Sequence, residues 1–251
     1  MQETKYMFQL KKFDFGEIQN AIQMCYPADA EKETTDSDHC PASQTLSTLI
    51  AEQFYDNGIF FTRWNNFTDQ VAEITGLPLQ GTTYGQAPSF SAFITLEKQV
   101  SGNFTRTKEL HFFISIAGKF YTVIGKDNSA LVVDQQHFRS TTCMIISPVH
   151  EYATAFQQLT DAIEKEYSDY RFVPFEVYRQ PLRGLTTGYA DEAPQTVFEA
   201  IFDRSVLIPK YAPGLGDAYY KSENWRSADY VDDGSYWIGV TPFSDHQETG
   251  S

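Results

Sequence analysis

Phe90-Ser-Ala-Phe-Ile-Thr-Leu96, Leu110-His-Phe-Phe-Ile-Ser-Ile116 and Phe120-Tyr-Thr-Val-Ile124 decide the fold. In the first, Phe90, Ala92, Ile94 and Leu96 recur at every second place, and in the second Leu110, Phe112, Ile114 and Ile116 do so. Side chains along a strand point alternately to opposite faces. A period of two therefore describes strands with one face on a core and the other nearer solvent. The pattern runs with few breaks through residues 82–147 and is punctuated by turns. Ser101-Gly102-Asn103 marks one, and Ala117-Gly118-Lys119 marks another, with Gly118 read as the positive-φ residue of a two-residue hairpin. Residues 130–133 and 141–146 complete a meander. The expected class is α+β, an antiparallel meander packed by helices on one face.

The helices lie to either side of this stretch. Residues 147–167 carry Val149, Tyr152, Phe156, Leu159, Ile163 and Tyr167 at steps of three and four, a single apolar stripe made to cross a sheet. Ser147 is placed to cap this helix and Pro148 to occupy its first position. Shorter helices are expected at 17–25, 43–54, 67–75 and 194–202, with Trp64 stapling the middle pair into the core. Residues 5–15 and 171–178 read as strands, and Pro174 places the second at an edge. Residues 28–42 set Asp29, Glu31, Glu33, Asp36 and Asp38 against Lys32 alone and read as an acidic, mobile loop. Periodicity stops at residue 209. From there to 243, Tyr211, Tyr219, Tyr220, Trp225, Tyr230, Tyr236 and Trp237 stand among Gly, Ser and Asp, which suggests a long irregular arm lying on the body. Residues 244–251 read as a disordered tail. No repeat or Ser/Gly-rich linker divides the chain, so residues 1–251 are expected to form one domain.

Charge narrows the partners. The chain carries 19 basic and 33 acidic residues, a formal net charge of −14. Binding to phosphate backbones depends on Lys and Arg displacing counterions, so nucleic acid and anionic membrane are disfavoured, while a basic protein or a neutral ligand fits. The first residues, Met1-Gln-Glu-Thr-Lys5, show no apolar run of a signal peptide, and no stretch is apolar enough to span a bilayer. Three cysteines, Cys25, Cys40 and Cys143, lack CxxC spacing, and Cys143 within Cys-Met-Ile-Ile is expected to be buried. Together these features suggest a cytoplasmic setting.

Catalytic signatures are missing from the sequence. His39, His111, His137, His150 and His246 form no HxH or HxxxH pair, so no metal site or other cofactor is expected. A Cys143–His111 nucleophile pair requires the fold to bring the two together. The Pro213-Gly-Leu-Gly-Asp217 segment lacks the lysine and amphipathic helix of a phosphate loop. The reading that remains is a non-catalytic binding protein for a basic protein partner, of the physical type of toxin-immunity and inhibitor proteins. Asp36, Asp38, Asp232 and Asp233 would steer such a partner, and Trp225 and Trp237 would anchor it. The alternative is an enzyme or small-ligand protein, for example one that binds carbohydrate, with a cleft beneath the aromatic arm.

Overall fold

The computed structural model describes residues 13–26, 41–54, 59–133, 138–182, 194–204, 206 and 214–228. The expected meander is its centre. Strands β1 (Leu79–Gly81), β2 (Ser89–Ser101), β3 (Phe104–Ser115), β4 (Phe120–Val132) and β5 (Phe138–Ile145) pair in sequence order, each antiparallel to the next. Two short strands join in parallel, β6 (Arg171–Phe172) beside the start of β4 and β7 (Gly214–Leu215) beside the end of β5. The helices are α1 (Gly16–Cys25), α2 (Pro41–Phe54), α3 (Ile59–Thr75), α4 (Ala153–Glu166), α5 (Phe175–Tyr178) and α6 (Val197–Ile201).

Register places the apolar residues of the sequence pattern directly opposite one another: Phe90 pairs with Ile114, Ala92 with Phe112, and Ile94 with Leu110. This face packs on Trp64, Phe67 and Val71 of α3 and on Phe156, Leu159 and Ile163 of α4. The opposite face is covered as well. Phe113, Phe120, Ile124 and Met144 form a second core with Ile18 and Ile22 of α1, Val177 of α5, and Phe198 and Ile201 of α6. The expectation of helices on one face therefore needs correction at this end of the sheet. The alternation misleads because Ser89, Ser91, Ser115 and Thr122 look like outward residues yet are fully buried. Ser89 Oγ donates to the Phe202 carbonyl at 2.7 Å and Thr122 Oγ1 to the Val173 carbonyl at 2.9 Å. A hydroxyl with a backbone acceptor can be buried without the cost of an unmade hydrogen bond.

Local differences have equally specific causes. Gly102, at φ 58°, makes the tight β2–β3 turn as expected. Gly118 does not adopt positive φ, and its connection spans residues 116–119. Glycine is required there because a Cβ would overlap the Phe120 ring. Helix α3 begins eight residues earlier than expected, which puts Trp64 within it, stacked on Phe90 at 5.4 Å. Val149 is extended, so α4 follows a 3-10 turn at His150–Tyr152, and Ser147 does not cap it. Ser147 Oγ accepts instead from the Asp217 N–H at 2.8 Å. In residues 171–178 the strand ends after Phe172, because Pro174 leads into α5. The strand expected at 5–15 and the acidic loop fall almost wholly outside the described residues. So does the arm, except for residues 214–228, which pack on the body.

The stripe on α4 is the main contact of the first core. Phe156→Ala should lower unfolding free energy by about 3–5 kcal/mol, because it empties a fully buried site. Gln157→Ala, at an exposed position of the same turn, should cost less than about 0.5 kcal/mol. Urea denaturation of both variants checks this, and equal losses would contradict the packing described.

Candidate functional site

Among the residues expected to touch a partner, only Trp225 is described. It is fully buried. Its Nε1–H donates to the Phe172 carbonyl at 2.6 Å, and the Arg171 guanidinium lies 3.7 Å from its ring centroid. The Trp225 carbonyl accepts from the Asp14 N–H at 2.7 Å, and Arg226 forms a bridge with Phe13. A side chain so placed has no surface left for a partner, so Trp225 anchors the core and not a complex. Tyr220 fills the neighbouring space, edge-on to Phe156 and Phe172 at 5.8 and 5.5 Å. Residues 214–228 of the arm thus pack directly on the body around Trp225. Asp36, Asp38, Asp232, Asp233 and Trp237 lie outside the described residues.

The sheet itself provides a surface that the sequence pattern did not single out. Strands β2 to β5 run beyond both cores, where the end of β2, the end of β4 and the start of β5 are exposed and β3 is half-buried. Val100 is 66% exposed, Val132 51%, Val133 54% and Phe138 72%. Val132 and Phe138 are direct partners, and Val100 shares their face through the row Val100–Thr105–Ala130–Ser140. Val100, Val132 and Phe138, this exposed and grouped on one face, are unusual away from binding surfaces, and Val133 follows at the strand end. Among the described residues, β5 is paired on its outer edge only at Met144–Ile145, and β2 beyond Thr95 has no outer neighbour. Such edges can accept a further strand.

Charged groups mark the boundary between the bare and covered halves. On the α4 face Arg106 grips Asp127 with two hydrogen bonds of 2.8 and 2.6 Å, and Lys108 sits between Glu97 at 2.6 Å and Glu151 at 2.8 Å. These cations are satisfied. The opposite face carries Glu109, His111 and Lys126. His111 Nε2 lies 3.0 Å from Glu109 Oε2, and its ring stacks on Phe93 at 5.0 Å. The hydrogen bond to His111 holds the Glu109 carboxyl below its ordinary range, while burial holds the imidazole below its own. The ionised carboxylate makes Nε2 the protonated nitrogen and leaves the Nδ1 lone pair free. Burial also lowers the Lys126 ammonium, against the opposing pull of Glu109 and Asp203. The fold does not bring Cys143 and His111 together, because the two occupy opposite faces: Cys143 pairs with Asp127, His111 with Ile124. Cys143 is half-buried, not buried, whereas Cys25 is enclosed and its thiol is pushed up to about 11.

Among the described residues no group of three His, Cys, Asp or Glu could hold a metal ion, and no helix is long and apolar enough to cross a membrane. A recess of about 50 Å³ bounded by Arg63, Phe90, Tyr167 and Tyr170 has room for a few waters, far below the size of a metabolite pocket. No protein-family model matches the chain, and comparison with curated proteins and with solved structures finds no match.

The His111 cluster makes stability depend on pH. An unfolded imidazole takes up a proton near ~6.5, while the folded one resists it, so stability is full above that value and falls as pH drops below it. The Glu109 contribution is lost only lower, in the carboxylate range. The thermal midpoint should decline from pH 7.5 to 5.5, and His111→Gln should flatten that decline while keeping a donor for Glu109. Identical slopes in the two proteins would contradict the assignment.

Proposed function

We propose that this chain is a non-catalytic binding protein that seats a basic protein partner on the bare end of its sheet, as inhibitor and immunity proteins do for theirs. The observation that carries the reading is the exposed apolar group Val100, Val132, Val133 and Phe138 at that end. Burying such a group against a partner supplies affinity, because apolar area removed from water contributes about 25 cal/mol per Å² before the costs of association. At the bare end Arg106 and Lys108 are already paired, and the exposed Lys98 and Arg139 offer no acid to a basic partner. Attraction over distance then falls to the acidic surplus elsewhere, with Asp36, Asp38, Asp232 and Asp233 as its steering residues and Trp237 as a further anchor.

The two roles separate in kinetics. The full chain is immobilised, proteins are captured from lysate of the organism that makes it, and binding of the retained proteins is measured at two salt concentrations. The retained proteins should be basic. Asp36→Lys/Asp38→Lys and Asp232→Lys/Asp233→Lys should slow association and remove its salt dependence, with little change in thermal midpoint. Phe138→Ser should speed dissociation about tenfold or more, with the association rate nearly unchanged. Retained proteins without a basic bias, or rates that none of these variants changes, would overturn the proposal.

A further inference from the structure

At the covered end of the sheet, β2, β3, α2, α3 and the end of α4 leave a recess of about 50 Å³ between them. Its floor is buried and includes Phe90 of β2, Ile114 of β3 and Tyr167, which follows α4. Its rim is half-buried and consists of Gln53 of α2, Arg63 of α3, Ile116 and Tyr170. The rim arginine is only partly used. Its Nε donates to Glu166 Oε1 at 2.7 Å and its Nη2 to the Glu166 carbonyl, while the guanidinium lies 4.2 Å from the Tyr167 ring centroid. A guanidinium is a planar fork of five donors, so the Nη1 pair remains. Neither Nη1, the Tyr170 hydroxyl nor the Gln53 amide has a hydrogen-bond partner among the described residues.

We propose that this recess binds an acetamido group, CH3–CO–NH–, carried on a larger molecule that stays outside it. The site is separate from the bare end of the sheet and does not depend on docking there. Size sets the first limit. A water-sized group needs roughly 10–15 Å³ of such space, so the recess takes about four heavy atoms and no whole sugar or amino acid. An acetamido group has that many. Floor and rim set the second limit. Phe90 and Ile114 offer an apolar floor to the methyl, and Arg63 Nη1 offers a donor to the carbonyl oxygen. The amide N–H is left to the rim, where the Tyr170 hydroxyl and the Gln53 side-chain oxygen are acceptors.

Charge sets the third limit. Glu166 already neutralises Arg63, and Lys119 and Asp169, which act on Tyr170, pair with each other at 2.7 Å. A carboxylate of the same size would find no uncompensated cation and would be repelled by Glu166. An ammonium would meet the arginine. A neutral amide avoids both costs and still accepts a charge-assisted hydrogen bond from the guanidinium. Two kinds of molecule carry such a group on a flexible or exposed bond: an N-acetylated sugar and an Nε-acetylated lysine. Either would enter methyl first, because the floor is closed and the bond to the carrier must leave through the rim.

Amide-shift NMR on the full-length chain tests this, with acetamide, acetate, N-acetylglucosamine and Nε-acetyl-lysine as probes. Acetamide should bind in the millimolar range and shift the amides of Phe90 and Ile114 to Ile116, and acetate should bind about tenfold more weakly. One of the two carriers should bind more tightly than acetamide, and which one does so identifies the source of the group. Arg63→Lys keeps a cation for Glu166 and loses Nη1, and Tyr170→Phe loses only a hydroxyl. Each should weaken binding several-fold, with a thermal midpoint near that of the parent showing that the variant is folded. If Arg63→Lys does not fold, Tyr170→Phe carries the test. No binding of acetamide at about 100 mM, shifts confined to other parts of the chain, or equal affinity for acetate would overturn the proposal. So would affinity that the folded variants leave unchanged, or carriers that bind no more tightly than acetamide.

Discussion

Burial of the same strand halves on both faces is the constraint on which the rest of the structure depends. Phe112 and Phe113 are neighbours in β3, point to opposite sides, and are each fully buried in a different core. Neither core would close alone. The first needs the α4 stripe and Trp64, and the second needs elements far apart in the chain, α1 near the start and Trp225 near the end. The strap made by residues 214–228 follows from that need. It pairs β7 with β5, ties Asp217 to Ser147, and brings Trp225 over Phe120 at 6.1 Å. Gly216, at φ +120°, is the bend that makes this path possible, because a Cβ there would collide with Ser147.

How much of this could be read in the sequence depends on the type of residue. Phe90, Ala92, Ile94 and their partners in β3 were legible because apolar side chains at period two have little else to signify. The stripe from Tyr152 to Ile163 was legible for the same reason at helical period. The second core was hidden by Ser89, Ser91, Ser115 and Thr122, whose burial depends on acceptors more than fifty residues away for Thr122 and over a hundred for Ser89. Local pattern cannot encode such partners. Trp225 misled in the opposite sense: an aromatic residue in an irregular, acidic segment resembles a surface anchor until the fold supplies a carbonyl for its indole N–H. His111 was noticed as a partly packed histidine, but its contact with Phe93 is a matter of register, and register emerges only when β2 and β3 pair.

The same constraint explains what the protein leaves open. Strands of twelve or thirteen residues are longer than the two helical layers can cover, so β2 to β4 project beyond them. Strands this much longer than usual expose backbone edges and side chains that a merely structural sheet would shorten or mask with charge. Here the tip carries Val132 and Phe138. On the proposed reading, the doubly covered base fixes where the projecting face emerges, so that part of the ordering needed for docking is already in place.

Native-state hydrogen exchange tests the division of the sheet most directly, because it reads each strand along its length. If one end is clamped on both faces and the other is bare, amides of Phe112, Phe113, Thr122 and Val123 should exchange only through global unfolding. Those of Thr105, Ser129 and Thr141, bonded within the same ladders, should exchange orders of magnitude faster through local opening. Uniform protection from one end of β3 and β4 to the other would contradict the account.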